Sequence, residues 1–151
     1  MNLPKNRQVI GTTEVINIPD IGMLNIPAKI DTGAYHSSIW ASDIVEKNDK
    51  LMFVLFDKDS PYFTGQKVTV NSFCKQKIRS SFGHNEERYR ISLKIIVGDN
   101  TYETDFTLAN RSVNKYPVLL GRSLLKNRFV VDVTKRNVHF RLAKAKLVGE
   151  I

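Results

Sequence analysis

The chain has little of what staples small proteins or anchors them in membranes. Its 151 residues include one cysteine, Cys74, so no intramolecular disulfide forms and a reducing setting is expected, with cytoplasm as the default. No apolar run approaches the roughly 20 residues a membrane-spanning helix requires. Met1–Ile10 carries Lys5 and Arg7 but no apolar block and no cleavage pattern, so no secretory leader is expected. The three histidines, His36, His84 and His139, stand far apart with no H-E-x-x-H spacing, and a lone cysteine cannot build a cysteine-rich cage; no metal is expected. There is no G-x-x-x-x-G-K-[ST] loop to cradle phosphates, and no cofactor is expected. Acidic residues are also scarce, 15 against 23 basic ones, which leaves a formal charge of +8.

That excess suggests an acidic partner, either nucleic acid or an acidic peptide. The basic residues are scattered and match no nucleic-acid reader motif, which argues against nucleic acid. Much of the charge reads as solvated surface.

At this length one domain with a real core is expected, and the apolar (42%) and charged (25%) fractions are those of an ordinary globular chain. Residues 1–7 read as a loose tail, 8–142 as the folded domain, and 143–151 as a C-terminal extension open between helix and strand. Gln8 to Ile18 is β-rich, Pro19 to Gly22 is a turn, and Met23 to Asp31 is a second strand, together an N-terminal hairpin. Ser37 to Ile44 is ambiguous between strand and helical turn, and Glu46 to Lys50 reads as a loop. Leu51 to Phe56 is apolar on both faces and reads as a central strand. Asp57 to Gly65 is a loop, and Lys67 to Phe73 alternates. The clearest strand puts Tyr89, Ile91, Leu93, Ile95 and Val97 on one face and Arg88, Arg90, Ser92, Lys94 and Ile96 on the other. Gly98-Asp99-Asn100 is a hairpin turn, answered by Tyr102, Thr104, Phe106 and Leu108. Further on come Val118 to Leu120, a short helix at Arg122 to Lys126, a strand at Phe129 to Val133, and a turn leading into Val138 to Leu142. Eight or nine short strands with one or two short helices make a mainly-β barrel.

Two stretches carry chemistry. Ile30-Asp31-Thr32-Gly33-Ala34 ends a strand in a turn that can hold a carboxylate rigidly, with Gly33 allowing close backbone approach and Thr32 offering a hydroxyl. Far downstream, Pro117-Val118-Leu119-Leu120-Gly121-Arg122-Ser123-Leu124-Leu125 runs from an apolar strand through Gly121 into the short helix. An Asp-Thr-Gly turn followed much later by apolar-apolar-Gly-Arg resembles the retropepsin-like aspartic proteases. With Arg79-Ser80-Ser81 and Glu86-Glu87-Arg88 between them, the chain resembles the bacterial branch often labelled "ATP-dependent zinc proteases", from about Val15 to Val133.

The resemblance implies a closed retropepsin-like (acid protease) β-barrel with one short helix after Leu-Leu-Gly-Arg. It implies Asp31 as the catalytic carboxylate, with Thr32, Gly33, Ala34, Ser37 and Gly121 supporting its turn. It implies a flap within Lys75 to Glu87, and an acidic or carboxylate-bearing substrate held by Arg79, Ser80 and Ser81. Aspartic peptidases activate a water between two carboxylates that share a proton. One Asp-Thr-Gly supplies only one of them, so a homodimer is expected, with an Asp31 from each copy at the two-fold axis. Members of the family resemble proteins associated with ATP-grasp ligases that add glutamate to protein tails, so such a ligase is an implied partner and an acidic tail an implied substrate. After Asp-Thr-Gly-Ala the family usually has a basic residue and Thr-Ser; here Tyr35-His36-Ser37-Ser38 stands instead, which bears on substrate preference. His36 reads as a hydrogen-bonded turn histidine with auxiliary acid/base as its other role, Arg122 as a tie for the turn or the dimer, and Asp105 and Asp132 as structural. A non-catalytic peptide-binding barrel of the same fold is the rival reading.

Overall fold

The computed structural model describes residues 6–79, 83–111 and 114–149, with backbone alone at 78 and 79. β1 (Gln8–Ile10) leads into β2 (Thr13–Ile18), which turns through a single 3-10 turn at Pro19–Ile21 into β3 (Met23–Ile30). Gly22 makes that turn possible with a φ of 71°. β2 and β3 pair antiparallel, as the hairpin expectation required. β3 delivers Asp31.

β4 (Ser37–Lys47) follows, then β5 (Lys50–Leu55) and β6 (Lys67–Val70). The segment expected as a loop at Glu46 to Lys50 is instead a tight hairpin. Asn48 and Asp49 both take positive φ, 54° and 60°, the requirement of a two-residue turn with the right twist, so the strands run right up to it. β7 (Cys74–Arg79) pairs antiparallel with β8 (Asn85–Val97), which pairs in turn with β9 (Asn100–Ala109) across the Gly98-Asp99 turn. β10 (Val118–Leu120), the four-residue helix α1 (Arg122–Leu125) and β11 (Phe129–Val131) come next, β11 lying parallel to β1.

Closure rests on β10. It pairs parallel with β3 and antiparallel with β4, so the path β10-β3-β2-β8-β9-β4 returns to its start as a closed six-stranded barrel. The expected closed, mainly-β barrel is therefore present. The alternation in β8 and β9 places Ile91, Leu93, Ile95, Val97, Phe106 and Leu108 inside, where they meet Ile16, Ile26, Ile39 and Leu120. Each such side chain taken out of water contributes about 1.5–3 kcal/mol.

Beyond the short helix, a second one, α2 (Val138–Leu147), runs through the residue 142 to 143 point where an extension was expected to begin. Its first turn has no local side-chain cap, and Asn137 before it is left-handed with φ 52°. The cap comes from β2. Glu14 is fully buried, and its carboxylate accepts the N–H groups of His139 (3.1 Å), Phe140 (3.0 Å) and its neighbour Val15 (3.2 Å). A carboxylate satisfying two orphan donors at a helix N-terminus is favourable in both hydrogen bonding and dipole interaction. The Thr13 hydroxyl donates to the Asn137 Oδ1 at 2.7 Å and completes the dock.

Candidate active site

The Asp31 turn is fixed from behind. The Asp31 N–H donates to the Leu120 carbonyl on β10 at 2.9 Å, and the Asp31 carboxylate Oδ1 accepts the Gly33 N–H at 2.9 Å. Two further backbone bonds tie the turn to α1: Arg122 N–H to the Ala34 carbonyl and Ser123 N–H to the Tyr35 carbonyl, each 2.8 Å. The Arg122 guanidinium reaches over to the Thr32 carbonyl at 3.0 Å, so it ties the turn. Gly121 is where β10 and the turn press together. A Cβ there would lie 2.6 Å from the His36 carbonyl oxygen and 2.9 Å from that of Ala34, too close for any side chain. Its N–H donates to the buried Ser37 hydroxyl at 3.0 Å, so Ser37 supports the turn through Gly121.

The turn itself faces outward. Asp31 is half-buried, and Thr32 and Gly33 are exposed.

Beside it opens a cleft of about 460 Å³ lined by Ala34, Ser37, His36, Arg88, Arg90 and Arg111 among others. Three of the lining residues are arginines. Arg111 is tethered through its Nε to the Tyr116 carbonyl at 3.0 Å. Partial burial lowers its pKa from the ordinary arginine value while the negative charge of Asp31 works against that, which places Arg111 in the field of Asp31. Strands β7 and β8 also line the cleft, with Lys75 of β7 between Glu46 (3.3 Å) and Glu87 (3.4 Å). A second groove, about 510 Å³ between α2 and strands β2 and β8, is lined by none of these residues.

Among the described residues, no three of His, Cys, Asp and Glu gather as a metal site would need, and no helix is long and apolar enough to cross a membrane. The arrangement is therefore a rigidly held carboxylate on an exposed turn next to a cationic cleft. A model of the family described as retropepsin-like aspartic endopeptidase RimB matches residues 9–141. The chain belongs to this RimB-like family.

Relatives of this RimB-like chain include a Shewanella pealeana protein named probable alpha-L-glutamate ligase, 35% identical over 132 residues that cover 84% of this chain and 29% of that protein. A protein of the same name from Parasynechococcus marenigrum is 30% identical over 129 residues, 82% of this chain and 28% of that one. The chain thus spans less than a third of the length of these curated relatives. The crystal structure of a Legionella pneumophila protein of unknown function superposes with a TM-score of 0.66 at 26% identity, covering 87% of this chain and 97% of that one.

Of the residues singled out from the sequence, the RimB-like barrel brings Asp31, Thr32, Gly33, Ala34, Ser37 and Gly121 into one cluster. Arg79 ends β7, paired with Asn85 in the hairpin, while Ser80 and Ser81 lie outside the described residues. The cations of the cleft, Arg90 and Arg111, were not singled out. Arg90 occupies the polar face of an alternating strand and Arg111 a polar connection, both of which look like solvated surface in one dimension. The only linear signal was the pair Arg88 and Arg90 two residues apart, which puts both on one face of the strand.

Proposed function

We propose that this chain is an aspartic-type peptidase that works as a homodimer and cleaves acidic, glutamate-rich peptide segments. One Asp31 takes a proton from a shared water, which attacks the peptide carbonyl carbon. The other Asp31 gives its proton to the carbonyl oxygen; collapse of the tetrahedral adduct then breaks the C–N bond as the leaving amine takes up a proton. Two carboxylates that close cannot both ionise, so they titrate as a unit.

The observation that carries this reading is an Asp31 turn locked to β10 and α1 yet presented on the surface, beside a cleft lined by Arg88, Arg90 and Arg111. Among the described residues, a Cβ at Gly33 would meet the Asp31 Oδ1 at 3.3 Å, closer than ordinary contact, so glycine there keeps the carboxylate unobstructed. The name of the curated relatives supports the substrate class and points to a glutamate-adding ligase as the partner whose product is trimmed.

Asp31→Asn tests it. Hydrolysis of a glutamate-rich peptide is expected to fall by at least about a hundredfold, with the unfolding midpoint and the dimer in sedimentation both retained. Undiminished hydrolysis by Asp31→Asn refutes the mechanism. A wild-type chain that binds such peptides but cleaves none between acid and neutral pH is a peptide-binding barrel instead.

A further inference from the structure

Three strands converge beside the catalytic turn. β4 runs parallel to β9 with Ser37 opposite Phe106, and β8 runs antiparallel to β9 with Arg90 opposite Thr107 and Ser92 opposite Asp105. Ser37 and Phe106 point inward and are fully buried, so the neighbouring His36 and Asp105 fall on the outer face. Arg90 stands diagonally across from Asp105 on that same face, within reach for a long side chain.

The three side chains engage. Asp105 Oδ2 lies 2.6 Å from His36 Nδ1 and 3.2 Å from Arg90 Nε. An ionised carboxylate only accepts, so His36 carries its proton on Nδ1. In the neutral ring Nε2 is then an acceptor, and Arg90 Nη1 stands 3.4 Å from it. The guanidinium is thus held at two of its nitrogens, Nε and Nη1. Among the described residues its Nη2 has no protein partner, and both Arg90 and His36 line the cleft.

We propose that Arg90 is the specificity-determining residue that reads a substrate side-chain carboxylate, and that His36, acting with Asp105, is the positioning residue that aims it. This deepens the peptidase reading and rests on it for the location of the scissile bond. Arg88 is a poorer reader because it is exposed and its carboxylate partner Glu86 is 3.8 Å away, leaving it many rotamers. Arg111 is spoken for by Tyr116 and by its position in the field of Asp31. Arg90 is held before substrate arrives and keeps Nη2 without a protein partner among the described residues, so little side-chain freedom is lost when a carboxylate binds. The departure at Tyr35-His36 thus has a physical consequence: the histidine ring supplies the acceptor that Arg90 Nη1 needs.

The test uses the full chain and a pair of peptides that differ only by glutamate or glutamine at successive positions. Arg90→Gln is expected to raise KM for the glutamate peptide about tenfold, as loss of a charge-assisted bond does, with little of the effect falling on kcat or on the glutamine peptide. Arg90→Lys, which keeps the charge and folding, recovers part of the discrimination. His36→Phe is expected to raise the same KM about threefold and His36→Gln, which can still donate to Asp105, less than that. Lys94→Gln removes a cation farther along the same face of β8 and is expected to leave the discrimination unchanged. Equal KM increases for both peptides, or a Lys94→Gln effect matching that of Arg90→Gln, overturns the proposal in favour of general electrostatics. Binding of fluorescein-labelled hexaglutamate to the Asp31→Asn chain separates the two ideas. Weakened binding by the additional Arg90→Gln change supports the proposal even where no hydrolysis occurs, and unchanged binding refutes it while leaving the peptidase reading intact.

Discussion

Gly121→Ala is the most direct probe of how the barrel supports its functional turn. The 2.6 Å gap between an added Cβ and the His36 carbonyl oxygen falls about 0.8 Å short of the 3.4 Å at which ordinary contact begins. Ala34 adds a second obstruction at 2.9 Å, and both obstructing atoms are backbone, so no rotamer change relieves them. The φ of Gly121 is −97°, an angle open to any residue, so the penalty is one of space and not of conformation. β10 and the 34–36 segment must part. The Arg122 to Ala34 and Ser123 to Tyr35 bonds, both 2.8 Å, then stretch, and the Asp31 to Leu120 bond moves with them. Overpacking of this kind costs about 1–3 kcal/mol. On the proposed peptidase reading, a displacement approaching 1 Å at the Asp31 carboxylate is expected to lower turnover by about a hundredfold. Thermal unfolding and steady-state hydrolysis of a glutamate-rich peptide read the two effects on one sample. Gly33→Ala is the comparison, because its Cβ meets a single side-chain oxygen at 3.3 Å, and its stability loss is expected to stay within about 0.5 kcal/mol. If Gly121→Ala keeps wild-type stability and activity within threefold, the turn is not braced by this contact and the reasoning fails.

Two further predictions concern stability. Glu14→Ala strands the part-buried N–H groups of His139, Phe140 and Val15, and urea denaturation is expected to show a loss of about 2–4 kcal/mol, with Glu14→Gln losing less. Equal stability of wild type and Glu14→Ala would show that α2 docks by its apolar face alone. Asp132 gives a pH signature. The Thr134 hydroxyl at 2.6 Å and the Thr134 N–H at 2.9 Å both donate to its Oδ1 and hold its pKa below the ordinary 3.8. A folded pKa below the unfolded one stabilises fully above the unfolded value, and that contribution fades as pH falls through the folded value. The stability gap between wild type and Thr134→Val is therefore expected to be widest above 3.8 and to shrink below it; a gap independent of pH refutes the assignment.

What could be read in one dimension depended on how local its cause was. The alternation of Ile91, Leu93, Ile95 and Val97 is a property of the strand itself, and it predicted both the strand and its buried face. Helix α2 depends on a cap 125 residues away in sequence, which no window around Val138 contains. β4 was obscured by its own irregularity. A register shift between Ser42 and Val45, with Asp43 at a φ of 51°, breaks the period-two pattern and made Ser37 to Ile44 look half helical. At the site, Asp31 and Gly121 were legible because each sits in a recognisable tripeptide or tetrapeptide. Arg90 was not, because its neighbours His36 and Asp105 are assigned to it only by the register of three strands.

The closing strand is expected to couple stability to the proposed function in this barrel. β10 is three residues long and is held on one side by β3 and on the other by β4. The β3 ladder runs to Ile30, with the Asp31 N–H donating to Leu120 just beyond it, and the β4 ladder takes in Ser38 and Ile39, so the bonds that close the barrel flank the turn on both sides. A strand this short has few bonds to spare, and loosening it lets the turn sample other positions before the rest of the core opens. Substitutions that weaken β10, Val118→Ala among them, should therefore reduce turnover at temperatures well below the global unfolding midpoint. Distant core truncations of similar cost, on β5 for example, should leave turnover intact until the whole barrel melts.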